Sequence, residues 1–379
     1  MARQKNSGNA GKTSRRAKVP NIYDVAREAK VSVFTVSAVI NQNGQVSAGS
    51  QRRVQAAVEK LNYRPNLLAR SLAKRQTFTI GIVVTDVSNP FFPQLVRGAE
   101  DVLQKAGYSA ILCNSDDQAE KEEHYLEFLM SRRVDGILLT KTPARMNPVV
   151  RQRLLDSKIP LVLLMRTSAD LNTDAILTDD AGGAFEAVSH LAGLGYKNIA
   201  FVSGPLEVSN AIDRRDGYLK ALDTHHLELH PKLIYEGDYR MDSGYRAGLT
   251  LLPRRPEAVF VANYMMMIGF VKAADELGLH CPEDFGIVSF DDYPWLGLFR
   301  PRMTTVELPK YELGANAAQC LLERLDGKAQ KPTVVKLPTQ LRVRESCGFQ
   351  LRRRRSAHGK PTGAAAFSPP ERLDASKSC

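Results

Sequence analysis

From residue 79 onward the chain runs twice through one pattern, in which short apolar runs alternate with stretches of helical spacing. Apolar runs at 80–84, 109–113, 136–140 and 161–164 are separated by helix-period segments at 92–105, 120–130 and 148–156. A second series follows, with runs at 175–177, 199–203, 258–262 and 285–290 and helical segments at 182–194, 214–223, 243–252 and 265–277. Alternating strand and helix requires crossover connections, and these produce parallel sheets covered on both faces. Two series therefore predict two doubly wound α/β lobes with a cleft between them.

In open parallel sheets, ligands sit beyond the carboxyl ends of the strands. The loops that fall there are 86–92, 165–166, 203–214, 262–264 and 290–292, and they gather aromatic, Arg, Asn and Asp residues. Phe92 offers a flat apolar face for ring C–H groups, while arginine, asparagine and carboxylate groups suit vicinal hydroxyls, so a polyhydroxylated ligand is expected. Competing structural roles are an Arg214–Asp291 salt bridge between lobes, core packing for Phe91, and helix packing for Met265, Met266 and Met267.

The net charge of +11 is unevenly spread. Residues 1–19 net +6, residues 20–75 another +6 and residues 350–379 +5, which leaves −6 for the middle. Clustered Lys and Arg gain from counterion release at phosphates, so any polyanion contact belongs to the first 75 residues and the tail. Residues 1–19 and 350–379, rich in Gly, Ser, Pro and Ala, read as basic disordered tails.

The 5 cysteines are scattered and never spaced as CxxC, which points to a reducing compartment and no zinc site. No apolar window approaches membrane-spanning length and the basic start has no apolar export signal, so a cytoplasmic protein is expected. No GxGxxG follows the first strand, and P-loop, GxSxG and HExxH motifs are missing. His225, His226 and His230 read as a solvated turn, so no catalytic residue, metal or cofactor is expected.

Before residue 79 the period changes to helix alone. Asn21 can cap a helix whose apolar stripe is Ile22, Val25, Ala26 and Ala29. Ser32 can cap a second, with Val36, Val39 and Ile40 inward and Val33, Phe34, Ser37 and Ala38 outward; Lys30 occupies the turn, where a left-handed residue is usually Gly. A third helix starts at Ser47 and closes the core through Val54, Ala57, Val58 and Leu61. Short helices joined by a tight turn in a +6 segment predict a helix-turn-helix. The Pro-initiated segment Tyr63 to Leu72 is too short to be a stable helix alone and needs outside support.

The residues Ile22-Tyr23-Asp24-Val25-Ala26-Arg27-Glu28-Ala29, Val31-Ser32, Thr35-Val36-Ser37, Arg64-Pro65-Asn66 and Ala69-Arg70-Ser71-Leu72 resemble the lactose-repressor (LacI/GalR) family, and the likeness extends to about Phe349. The resemblance implies a lambda-repressor-like helix-turn-helix over 20–64, a hinge helix and linker over 65–77, and a two-lobed periplasmic-binding-protein-like core over 78–349. Its first lobe would take 79–178 and 308–337, its second 179–307 and 338–349, with 301–306 resembling a crossover.

By the same resemblance, Val33, Phe34 and Ala38 read bases, Ser32, Thr35 and Ser37 touch phosphate, and Tyr23, Asn66, Ala69 and Arg70 join the DNA contact. Leu72 would wedge open a base step in the minor groove. Family members often carry Arg or His at 38 and a polar residue at 33 or 34, so direct base readout should be weak here. The implied effector residues are Asn89, Phe92, Arg166, Asn210, Arg214, Tyr239, Asn263 and Asp291. An acid often stands where Met165 is and Asp where Tyr264 is, which gives weight to a deoxy, phosphorylated or partly apolar ligand. The expectation is a homodimeric, possibly tetrameric, regulator on a pseudopalindromic DNA operator, answering a small sugar-like effector. The alternatives are a constitutive or partner-controlled repressor and a DNA-independent sugar sensor.

Overall fold

The computed structural model describes residues 20–40, 46–63, 76–328 and 331–351. The hinge positions Asn66, Ala69, Arg70 and Leu72, residues 1–19 and residues 352–379 lie outside the described residues. The chain divides into two compact units, Met1–Thr77 and Phe78–Cys379.

In the first unit α1 (Ile22–Ala29), α2 (Val33–Ile40) and α3 (Ala48–Lys60) enclose Val25, Ala26, Ala29, Val36, Val54, Ala57 and Tyr63. Asn21 caps α1 by accepting from the Tyr23 and Asp24 amides, and Asp24 returns the bond in a capping box. The Thr35 amide donates to Ser32 Oγ at 3.1 Å, so Ser32 caps α2. Lys30 takes φ 51° and ψ 49°, so the left-handed turn forms without glycine.

The second unit holds two six-stranded sheets. In chain order its elements are β1 (Thr79–Val84), α4 (Phe91–Lys105), β2 (Ser109–Asn114), α5 (Ala119–Ser131), β3 (Gly136–Leu139), α6 (Pro148–Ser157), β4 (Leu161–Leu164) and β5 (Asp174–Thr178). There follow α7 (Asp180–Gly193), β6 (Ile199–Ser203), α8 (Ser209–Thr224), β7 (Ile234–Glu236), α9 (Met241–Leu251), β8 (Ala258–Val261), α10 (Tyr264–Glu276) and β9 (Gly286–Phe290). The last are β10 (Thr304–Glu307), α11 (Lys310–Leu325), β11 (Val334–Leu337) and β12 (Gln340–Arg342).

The sheets run β11-β5-β4-β3-β1-β2 and β12-β10-β9-β8-β6-β7. Every pairing is parallel except β10 with β12. Strand order reverses at β1/β3 and at β6/β8, so each sheet opens a crevice there at its carboxyl edge.

The chain passes between the sheets after β5, after β10 and after β11. The segment 304–306, expected as a crossover, is instead strand β10 itself, and the passage follows it at 308–309. In the first lobe α4 and α11 approach so closely that a Cβ on Gly98 would lie 2.0 Å from the Tyr311 carbonyl, which fixes glycine there.

Asp292, just past β9, ties two of these passages. Its carboxylate takes Arg344 Nη1 at 2.7 Å, Arg344 Nη2 at 2.9 Å and the Thr305 hydroxyl at 2.7 Å, while its carbonyl accepts Lys310 Nζ at 2.7 Å. Burial works against the Asp292 charge, but the bonds from Arg344 and Thr305 outweigh it and hold the carboxyl low. Asp174 is likewise opposed by burial and held low by Arg324 and Thr333.

A depressed folded-state pKa stabilises the fold above the unfolded value of about 4, and that stability disappears as pH falls through the folded value. The core should therefore weaken steeply below about pH 4. Arg344→Ala should cost about 2 kcal/mol at pH 7 and flatten that acid limb, as read from urea unfolding at pH 7 and pH 3.5.

Candidate functional site

In the helix-turn-helix unit, Tyr23 is 66% exposed and Phe34 83% exposed, so Phe34 does not pack inside the three-helix core. Ser32 is exposed, and its hydroxyl lies 2.9 Å from that of Thr35 at the start of α2. Thr35, Ser37 and Ala38 are half-buried. Val33 departs from the expected outward position, since it is half-buried and packs against the core as the first residue of α2. The unit therefore presents one large apolar ring and a short row of hydroxyls.

All eight residues expected at the effector site border one cleft between the two sheets, which encloses about 530 Å³ of non-protein space with its open mouth included. Asn89 lies in the loop after β1, where its Oδ1 accepts the Phe91 amide at 3.0 Å. Phe92 stands in the first turn of α4, edge-on to Phe91 at 5.4 Å; Phe91 is buried in the core and also reaches the cleft.

The helix expected from Arg214 begins five residues earlier, since α8 starts at Ser209, and it places Asn210 and Arg214 four residues apart on one helical face. Asn263 caps α10 by accepting the Met266 amide at 3.0 Å and donates from Nδ2 to the Tyr239 carbonyl at 2.9 Å. The Tyr239 ring lies against the loop after β6, where a Cβ on Gly204 would come within 2.1 Å of it. Met165, Tyr239 and Asp291, each shortly past a strand end, adopt φ of 62°, 66° and 73°. Strained backbone of this kind concentrates at ligand sites.

Charge in the cleft is largely paired. Arg214 Nε meets Asp180 Oδ1 at 2.6 Å, its Nη1 donates to the Ala262 carbonyl, and its guanidinium lies 4.0 Å from the Phe290 ring centre. Burial alone would favour the neutral form, and the Asp180 carboxylate overrides it and raises the Arg214 pKa further. The Arg214 partner is thus Asp180, not Asp291, and the pair lies within the second lobe, where it joins α7 to α8. Asp291 accepts instead from the Tyr264 amide at 3.3 Å. Tyr264 stands outside the cleft lining, edge-on to Tyr293 at 4.8 Å with its hydroxyl accepting Trp295 Nε1 at 3.1 Å.

Three buried polar atoms have no hydrogen-bond partner and belong to residues of this cleft: Arg166 Nε, Asn210 Oδ1 and Tyr239 Oη. Burial, opposed by Arg214 and Arg166, pushes the Tyr239 hydroxyl up to about 12, so it stays protonated and available as a donor. Orphaned groups are rare in folded proteins, and three around one cleft suit a polar occupant.

Thr85, Asp117, Asp238 and Arg240 also border the cleft from outside the expected loops, and Asp86 borders it from within the expected loop 86–92. Asp117 follows β2, so extending the strand-end rule to that strand would have found it. Beside the cleft, Arg240 Nη2 bonds the Asp116 carbonyl at 3.0 Å and the Thr167 amide bonds Ser209 Oγ at 2.9 Å, each linking one lobe to the other.

Residues 21–66 match the model for bacterial regulatory proteins of the lacI family, and residues 188–347 match a periplasmic binding protein-like domain. Catabolite control protein A of Priestia megaterium is 38% identical over 328 residues, spanning 86% of this chain and 98% of its own. The crystal structure of the lac repressor dimer bound to operator and the anti-inducer ONPF superposes with a TM-score of 0.77 at 29% identity, covering 87% of this chain and 99% of that one. The cellobiose complex of the transcriptional regulator CelR gives a TM-score of 0.66 at 30% identity over 86% and 99% of the two chains. The likeness spans both units, which disfavours a sugar sensor without DNA binding and a repressor without a small-molecule effector. The chain belongs to the LacI family: it is a DNA-binding transcriptional regulator whose α/β core is built to take a small-molecule effector.

Proposed function

We propose that a small polyhydroxylated effector held by Asn89, Phe92, Arg166, Asn210, Arg214, Tyr239, Asn263 and Asp291 controls the affinity of a homodimer for a pseudopalindromic operator. The carrying observation is the set of unpartnered buried polar atoms, Arg166 Nε, Asn210 Oδ1 and Tyr239 Oη, on residues of one cleft. Phe92 stacks on the ring face while the orphaned atoms bond hydroxyls, and the effector biases the equilibrium between open and closed lobes. The cellobiose in the CelR complex supports a sugar as the ligand class.

On DNA, α2 enters the major groove with Phe34 foremost, Val33 and Ala38 beside it, and Ser32, Thr35, Ser37 and Tyr23 near phosphates. Apolar side chains reach thymine methyls but supply no bidentate bond to a base, so shape and hinge carry much of the specificity. Asn66, Ala69, Arg70 and Leu72 act in the minor groove, with Leu72 as the wedge. Such a protein works in the cytoplasm and performs no catalysis, a reading supported by its likeness to transcriptional regulators along most of its length.

Thermal unfolding of the full chain with free pentoses, hexoses, disaccharides and their deoxy and phosphate forms tests the cleft. Tyr239→Phe removes a buried hydroxyl that has no partner, so the ligand-free protein should gain about 1 kcal/mol while the response to the shifting sugar weakens about tenfold. A purely structural tyrosine would give a loss of stability instead. Arg214→Ala leaves Asp180 buried without its cation and should cost about 3 kcal/mol in urea unfolding. Leu72→Ala should abolish specific operator binding yet keep salt-sensitive nonspecific binding in mobility-shift assays, and equal loss of both would remove the wedge role.

A further inference from the structure

The carboxylate expected beside Arg166 is missing at position 165, where Met165 stands, but the fold brings one from another strand. Asp116 and Asp117 form the turn after β2, with φ of 53° and 56° at two successive residues. Left-handed backbone is uncommon for residues bearing a Cβ, and Asp and Asn are among those that tolerate it. The turn is held on three sides. Asn114 Nδ2 bonds the Asp116 carboxylate at 2.6 Å, Lys121 Nζ bonds it as well, and the Asp116 carbonyl accepts Arg240 of the facing lobe.

What this turn positions is the Asp117 carboxylate. Its Oδ1 lies 2.8 Å from Arg166 Nη1, whose other bond goes to the Lys141 carbonyl at 2.9 Å. Both residues line the cleft, and with the Arg166 side chain 5% exposed and that of Asp117 25% exposed, the carboxylate is the more open part of the pair. Oδ2 of Asp117 has no hydrogen-bond partner among the described residues. One oxygen held by a fixed guanidinium and the other open is a geometry for accepting hydroxyl protons.

The charge balance follows from the same pairing. Asp86, Asp117, Asp238 and Asp291 border the cleft against Arg166, Arg214 and Arg240, and Arg214 is already neutralised by Asp180 from below. We propose that Asp117 is a ligand-contacting, specificity-determining residue that selects neutral polyols with free hydroxyls and disfavours their phosphate esters. This rests on the cleft being the effector site and narrows the ligand class left open by the sequence.

The test uses calorimetry and thermal unfolding of the full chain with D-ribose, 2-deoxy-D-ribose, D-glucose, cellobiose, D-ribose 5-phosphate and D-glucose 6-phosphate. Asn suits the backbone at 117 and keeps an acceptor for Arg166 Nη1, but it leaves that buried guanidinium without its counter-charge, so Asp117→Asn should fold like the native chain and melt at a lower temperature without ligand. It should bind the preferred free sugar at least tenfold more weakly and discriminate less against the matching phosphate ester. Adding Met165→Asp to Asp117→Asn restores a carboxylate beside Arg166 and should recover most of the lost affinity. Unchanged free-sugar affinity in Asp117→Asn, or a native preference for the phosphate ester, overturns the assignment while leaving the cleft as the effector site. If none of the six compounds binds the native chain, the cleft reading falls and this assignment with it.

Discussion

Each of the three passages between the sheets leaves the carboxyl end of a strand, after Thr178, Glu307 and Leu337. That constraint forces the two carboxyl edges toward each other and makes the space between them the place where strand-end loops converge. The helices α4, α8 and α10 all begin there, so their first amides point toward the same region as the side chains of Phe92, Asn210 and Asn263. Asp292 keeps the arrangement in register by binding residues from β10, from the start of α11 and from just past β12.

Polar groups brought into such a seam must be satisfied locally or by a ligand. The buried arginines meet the first condition through Asp180 and Asp117. The remaining atoms, on Arg166, Asn210 and Tyr239, do not. Each buried polar group left unsatisfied costs about 1–3 kcal/mol, a cost that hydroxyl groups of a bound ligand would offset. Relief available in only one lobe arrangement is a differential affinity, and differential affinity is what shifts a conformational equilibrium.

Most strands were legible as apolar runs, and β4 and β6 fall within the expected bounds; buried β10 was not, because Thr304 and Thr305 break its apolar run. The edge strands β7, β11 and β12 were not, because residues such as Val334, 58% exposed, have one side open and carry no burial pattern. All eight anticipated cleft residues line the cleft, since strand-end position and chemical type are both local properties. Asp180 and Asp117 escaped notice because their roles depend on which arginine lies opposite, and this is set by packing between distant segments. The same limit explains why the competing structural reading paired Arg214 with Asp291 when the fold pairs it with Asp180.

The left-handed backbone at Met165, Tyr239 and Asp291 also bears on how ligand preference could drift in such a protein. Branched side chains at these positions would clash with their own backbone, so exchange there is confined to a narrow set of residue types. Positions 92, 210 and 214 sit on ordinary helical backbone and accept almost any side chain that fits the space. The cleft thus has a conservative rim at its strand ends and a permissive face on its helices, and new recognition would be expected to arise on the helical side.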